Sequence, residues 1–141
     1  MDAETVVRSY LTAGDAGAEC TLAELVAKDV VTHAPGRVTI AGREATIATW
    51  RAARGGLSQL SHRVMEMVTR GDTVAVRVEV SGLHTGTFLG VPPTGARVTV
   101  DQALFVRLEE GRIVEMWEIV DTAAGLQQLG ALGPRQLSPG G

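Results

Sequence analysis

The sequence predicts an α+β fold, with N-terminal helices packed on a strongly curved, mostly antiparallel sheet, and three observations in the 141-residue chain carry that prediction. As far as Gly56, apolar residues recur mainly at helical spacing. Beyond Gly56 the period drops to two, the repeat of a half-buried strand. The turns between the alternating stretches are short, Arg70-Gly71-Asp72 and then Glu109-Glu110-Gly111-Arg112, so the strands they join run antiparallel as a meander. Strands longer than about 10 residues twist and coil, so their concave face can close over a pocket beneath the helices.

Asp2 precedes Val6, Val7, Tyr10 and Leu11, an amphipathic set that dissolves at Gly14 and Gly17 and marks a short first helix. Thr21 and Glu24 have capping-box spacing, which predicts a second helix through Leu25 to about Lys28. Val30 to His33 reads as a short strand stopped at Pro35-Gly36. The stretch REATIATWRAARG, after Gly42, returns to helical spacing and ends at Gly55-Gly56.

Leu60 to Thr69 alternates moderately. Val74, Val76, Val78 and Val80 then line one face of the clearest strand in the chain. Val98, Val100, Gln102, Leu104, Val106 and Leu108 share a face of the next, and Ile113 to Asp121 forms the last. In HTGTFLGVPPTG, His84 to Gly95, two prolines fix φ and remove donors while Gly90 and Gly95 permit bends, which predicts a rigid corner between strands. GPRQLSPGG, residues 133–141, reads as a tail behind a single domain spanning residues 1–132.

Hydrophobic residues at 45%, charged residues at 21% and a net charge of −3 describe a globular chain without a basic stripe, so no nucleic-acid partner is expected. There is no basic-then-apolar leader and no apolar run near the roughly 20 residues of a membrane span, so no membrane partner is expected and the location predicted is cytoplasmic. The lone Cys20 reads as packing. Three histidines on separate segments, without an i, i+4 pair, predict no metal site.

Two motifs carry a family resemblance. His84, Gly86, Phe88, Gly90, Pro92, Pro93, Thr94 and Gly95 fit H-x-G-x-F-x-G-x-P-P-T-G, and Gly111, Arg112, Ile113, Glu115, Trp117 and Asp121 fit G-[KR]-I-x-E-x-W-x-x-x-D. With these segments the chain resembles the SnoaL-like polyketide cyclases, strongly over its last 60 or so residues and more weakly before them. The resemblance implies a cone-shaped barrel of the kind named after nuclear transport factor two. It also implies ring closure by intramolecular aldol condensation in polyketide or related secondary metabolism, antibiotic biosynthesis included, without metal or cofactor, with Asp121 as general acid/base.

Such chemistry needs a group that takes a proton from carbon and returns one to oxygen, and a carboxyl in an apolar pocket has its pKa raised toward that task. Asp121 shares its strand face with Ile113, Glu115, Trp117 and Ile119; the competing reading is that it caps the helix beginning TAAGLQQLG. His33 and His84 are candidates for proton transfer near the pocket, with structural histidines as the alternative. Trp50, Trp117, Tyr10 and Phe88 are candidate substrate contacts, against the reading that large aromatics are core. His62 reads as surface or sheet packing.

Arg107 appears where the resembling aldol cyclases carry a histidine, and an arginine can hold an oxyanion but cannot shuttle a proton. It is therefore a candidate substrate-binding residue, or a partner for Glu109 or Glu118. Two further functions stay open. One is epoxide hydrolase or isomerase chemistry at Arg77, Glu79 and Asp101, whose alternative is an exposed cross-strand ion pair. The other is a non-catalytic role, as a binder of a hydrophobic small molecule or an accessory to an oxygenase. A half-open sheet with an apolar face predicts a homodimer or homotetramer.

Overall fold

The computed structural model describes residues 1–132, so the tail predicted at 133–141 lies outside the described residues. Helix α1 (Ala3–Ala16) starts where Asp2 accepts a hydrogen bond from the Thr5 N–H at 2.8 Å and stops at Gly17 in the left-handed region. Its apolar stripe Val6, Val7, Tyr10 and Leu11 is buried, as the spacing predicts. Helix α2 (Glu19–Leu25) opens at Ala18 without a side-chain cap, so the capping box expected at Thr21 does not form: Thr21 already lies inside the helix. Cys20 is exposed on this helix and is not a packing residue.

The strand expected at Val30 to His33 is longer, β1 (Val26–Ala34), and turns back into a strand with no sequence signal, β2 (Val38–Ala41). Then follow α3 (Arg43–Gly56), β3 (Leu57–Arg70), β4 (Thr73–His84), β5 (Arg97–Glu109), β6 (Arg112–Val120) and α4 (Thr122–Gln128). Strands β3 to β6 form an antiparallel meander; β1 adds to it in parallel beside β6, giving the order β2-β1-β6-β5-β4-β3. The result is α+β, a curled six-stranded sheet with α1, α2 and α3 on one face.

The main core fills the concave side: Val6, Tyr10, Leu11, Trp50, Val76, Leu104 and Met116 belong to one buried cluster. Helices α1 and α3 approach closely at Gly14, where any Cβ would overlap the Trp50 ring. Among the described residues no helix is long and apolar enough to cross a membrane.

Candidate active site

A cavity of about 190 Å³ lies between the concave face of the sheet and helices α1 and α3. Two bulges decide which side chains reach it. In β3 the register shifts between Ser58 and Ser61, with Gln59 at φ 54°, so Leu57 and Leu60 both face inward and His62 follows Leu60 on the same face. In β6, Leu108 pairs with Ile113 but Arg107 pairs with Glu115, leaving Val114 as the extra residue. Buried Ile113 is thus followed on the inner face by Met116, Glu118 and Val120, while Glu115, Trp117 and Ile119 turn outward.

His62 is held from the end of α1. Asp15 accepts the His62 backbone N–H at 2.7 Å with one oxygen and contacts Nδ1 at 2.6 Å with the other. An ionised carboxylate only accepts, so Nδ1 carries the proton and Nε2 is the ring nitrogen left as an acceptor. The ring also packs edge-on to Trp50 at 4.8 Å between centroids, and Trp50 packs edge-on to Tyr10 at 5.6 Å. All three line the cavity.

Glu118 lines the cavity from β6, directly opposite Leu104 of β5 and on one face with Met116 and Val120. Burial pushes its carboxyl above the ordinary glutamate range, opposed more weakly by the positive charge His62 can carry. Burial also pushes the Tyr10 hydroxyl up, with the Glu118 charge adding to it, so the phenol stays protonated. The cavity therefore brings together an oriented imidazole, a carboxyl that burial shifts toward its neutral form and a neutral phenol. Among the described residues no cluster of three or more His, Cys, Asp or Glu side chains is placed to hold a metal ion.

The residues singled out in the sequence divide sharply. Trp50, Tyr10 and Phe88 line the cavity. Asp121 does not: it is exposed, its carboxylate accepts the Ala124 N–H at 3.0 Å, and it caps α4. The bulge at Val114 is the reason, because it breaks the alternation that appeared to put Asp121 on one face with Ile113.

His84 is fully buried and both its nitrogens are occupied: Nδ1 accepts the Thr94 N–H at 3.1 Å and Nε2 donates to the Val91 carbonyl at 3.1 Å. It clamps the HTGTFLGVPPTG corner, as a structural histidine. His33 sits on the convex face, stacked on Trp117 at 5.1 Å and bonded to Glu115 at 2.7 Å, in a cleft outside the cavity. Arg107 also points outward, bonding Glu109 at 2.9 Å and Glu115 at 3.1 Å, so Glu118 is not its partner.

Arg77 and Glu79 lie on that outer face too, in cross-strand pairs with Glu66 and Arg63 at 3.5 Å. Asp101, the register partner of Glu79, is exposed, so these three build no water-activating site in the cavity.

His62, Asp15 and Glu118 were not among the candidates drawn from the sequence. A signal existed for His62, whose period-two neighbours Leu60 and Val64 are apolar. Glu118 was hidden by the bulge, and Asp15 is joined to His62 only by tertiary packing.

The same architecture recurs in solved structures. Wild-type IdmH of Streptomyces antibioticus, a candidate polyketide cyclase, is 32% identical over 92% of this chain and 99% of its own, with a TM-score of 0.83. A candidate SnoaL-like polyketide cyclase of Jannaschia sp. CCS1 is 25% identical over 94% and 93% of the two chains, with a TM-score of 0.84. AclR of Streptomyces galilaeus, a candidate hydroxylase, shares the fold at 22% identity, covering 95% of this chain and 84% of its own, with a TM-score of 0.83. No curated protein is significantly similar in sequence. The family profile described as SnoaL-like polyketide cyclase matches residues 4–129, nearly all of the cavity-bearing fold, and the chain belongs to that family.

Proposed function

We propose that the protein is a cyclase of polyketide or related secondary metabolism, closing a carbon ring by aldol-type acid/base catalysis, with Glu118 and the His62–Asp15 pair in place of Asp121. The observation that carries this reading is the Glu118 carboxyl, raised by burial, in one apolar cavity with an imidazole whose Nδ1 is fixed by Asp15. In the forward step Nε2 of His62 takes a proton from the carbon next to a substrate carbonyl. The resulting enolate carbon bonds to a second carbonyl carbon, whose oxygen receives the Glu118 proton and becomes the hydroxyl. Proton return from protonated His62 to the Glu118 carboxylate restores both groups. General acid/base groups of this kind contribute about 10²–10⁴-fold each. The cavity size suits a ring-sized apolar segment, since a dry cavity of about 150 Å³ takes up benzene.

The first half of the reaction is testable without the natural substrate. Deuterium exchange at the activated methylene of β-tetralone, followed by NMR, is expected to be accelerated by the protein. His62→Asn should lower that rate about 10²-fold or more, while Asp121→Asn leaves it unchanged. A folded His62→Asn protein with the full rate would sink the proposal.

We also propose that the protein works as a homo-oligomer paired through the convex face of the sheet. Phe105 and Trp117 are register partners there, 43% and 38% exposed, and Ile119 is 62% exposed nearby. Sedimentation should show a dimer or tetramer; a monomer at every concentration would remove this part.

A further inference from the structure

The cavity holds two polar atoms that the proposed chemistry does not use. Thr32 is 2% exposed, and both its hydroxyl and the Gln102 Oε1 are buried without a hydrogen-bond partner among the described residues. Both residues line the cavity. Their neighbours Thr46 and Thr49 line it too, but those hydroxyls donate to Gly42 and Ala45 carbonyls of their own helix at 2.9 Å and are spent. A buried polar atom without a partner costs free energy, so two of them on residues that line the same apolar cavity point to a ligand that pairs them.

Register fixes their relation to Glu118. Thr32 on β1 pairs with Met116, two residues before Glu118 on the inner face of β6; Gln102 on β5 pairs with Val120, two residues after it. Directly opposite Glu118 is the apolar Leu104. Thr32 and Gln102 therefore flank Glu118 diagonally on opposite sides, two strand spacings across and four residues along, or about 16 Å between backbones before the side chains reach inward. Once the side chains reach inward, the span left suits a six-membered ring with a hydrogen-bonding substituent at each end.

The chemistry of each atom sets what it takes. An amide oxygen only accepts, so Oε1 of Gln102 requires a donor. The Thr32 hydroxyl can donate to a carbonyl oxygen. Resting on the assignment of this cavity as the reaction site, we propose that Thr32 and Gln102 are its specificity-determining residues. They select an apolar ring-sized segment with a hydroxyl, phenolic or enolic, at the Gln102 end and a carbonyl oxygen at the Thr32 end. Saturated or fully etherified analogues of the same shape leave one or both buried atoms unpaired and are discriminated against.

Three small probes separate the two contacts: para-ethylanisole, para-ethylphenol and para-hydroxyacetophenone, titrated against the isotope-labelled protein by NMR. The first exchange adds a hydroxyl donor, the second a carbonyl at the far end of the ring. Each is expected to tighten binding roughly three- to tenfold in the wild type. Gln102→Leu should abolish the first increment and keep the second; Thr32→Val should do the reverse. Thermal melts show whether each variant is folded; Thr32→Val keeps the shape of the side chain it replaces, and Gln102→Leu replaces the amide with a slightly smaller apolar group.

Equal affinities for the phenol and the ether in the wild type, a phenol preference that survives in Gln102→Leu, or no binding of any probe would each overturn the proposal. The readout is binding and not turnover. A loss of probe discrimination therefore defeats this inference while leaving the exchange reaction of His62 standing, and inactive but discriminating protein does the opposite.

Discussion

On the concave face of the sheet His62 meets Asp15 at 2.6 Å and the edge of Trp50; on the convex face His33 meets Glu115 at 2.7 Å and the plane of Trp117. The two faces thus use the same kit of imidazole, carboxylate and indole. What separates them is the surroundings. On the convex side Glu115 also faces the Arg107 guanidinium, and the His33 and Arg107 hydrogen bonds hold its carboxyl below the ordinary glutamate range. On the concave side Glu118 lines the mostly apolar cavity, and burial drives its carboxyl the other way. A carboxylate held toward its charged form between an imidazole and a guanidinium serves as a surface tie, whereas one that burial shifts toward its neutral form is better suited to deliver a proton.

The comparison breaks most visibly through the carboxylates that bind the two imidazoles. In Asp15→Asn the remaining oxygen is claimed by the His62 backbone N–H, so the new NH₂ faces the ring and forces the proton onto Nε2. Exchange at β-tetralone should fall about 10²-fold, within the usual range for losing a general base. Glu115→Gln on the convex face should leave that rate untouched. Equal rates in the two variants would erase the functional distinction between the faces.

The indoles give the next contrast, in stability. Trp50 is 8% exposed and packed against Tyr10, His62 and the gap at Gly14, so Trp50→Ala should cost about 3–5 kcal/mol in denaturant unfolding. Trp117 is 38% exposed, and its replacement by Ala should cost about 1 kcal/mol or less in the monomer. A larger cost for Trp117 that grows with protein concentration would place it in an interface between copies.

Much of this arrangement was legible in the sequence. The amphipathic stripe of α1, the run Val74 to Val80, the Gln102 face of β5 and the hairpin at Glu110-Gly111 all obey a single period, and the structure matches them. Tyr10 and Trp50, on inward helix faces, and Phe88, in the corner between β4 and β5, line the cavity. The failures cluster where the period breaks. One inserted residue at Val114 exchanged the two faces of β6, so attention fell on Asp121 and Trp117 while Glu118 took the inner position. The parallel pairing of β1 with β6, which sets Thr32 beside Glu118, joins segments more than 80 residues apart and leaves no local trace. The Asp15–His62 bond, across 47 residues, is equally invisible to any window of sequence.

The smallest effect is the most diagnostic, because the two glutamates should give pH dependences of opposite sign. For Glu118 the native carboxyl titrates above the ordinary value of 4.5. Below that value it is protonated in both folded and unfolded chains and costs nothing; as pH rises from there through the raised native value, the unfolded chain releases the proton first and stability is lost. Glu118→Gln should remove that loss, so the variant gains on the wild type with rising pH, by about 1.4 kcal/mol for each unit of native shift. For Glu115 the native carboxyl titrates below 4.5, so its contribution is present at higher pH and disappears as pH falls through the native value. Glu115→Gln should therefore be slightly less stable than the wild type at neutral pH and equal to it in acid. Urea melts of the three proteins from about pH 3 to pH 8 give the two difference curves. A Glu118→Gln difference that is flat with pH, or that slopes like that of Glu115→Gln, would mean that the cavity does not raise the pKa of its carboxyl.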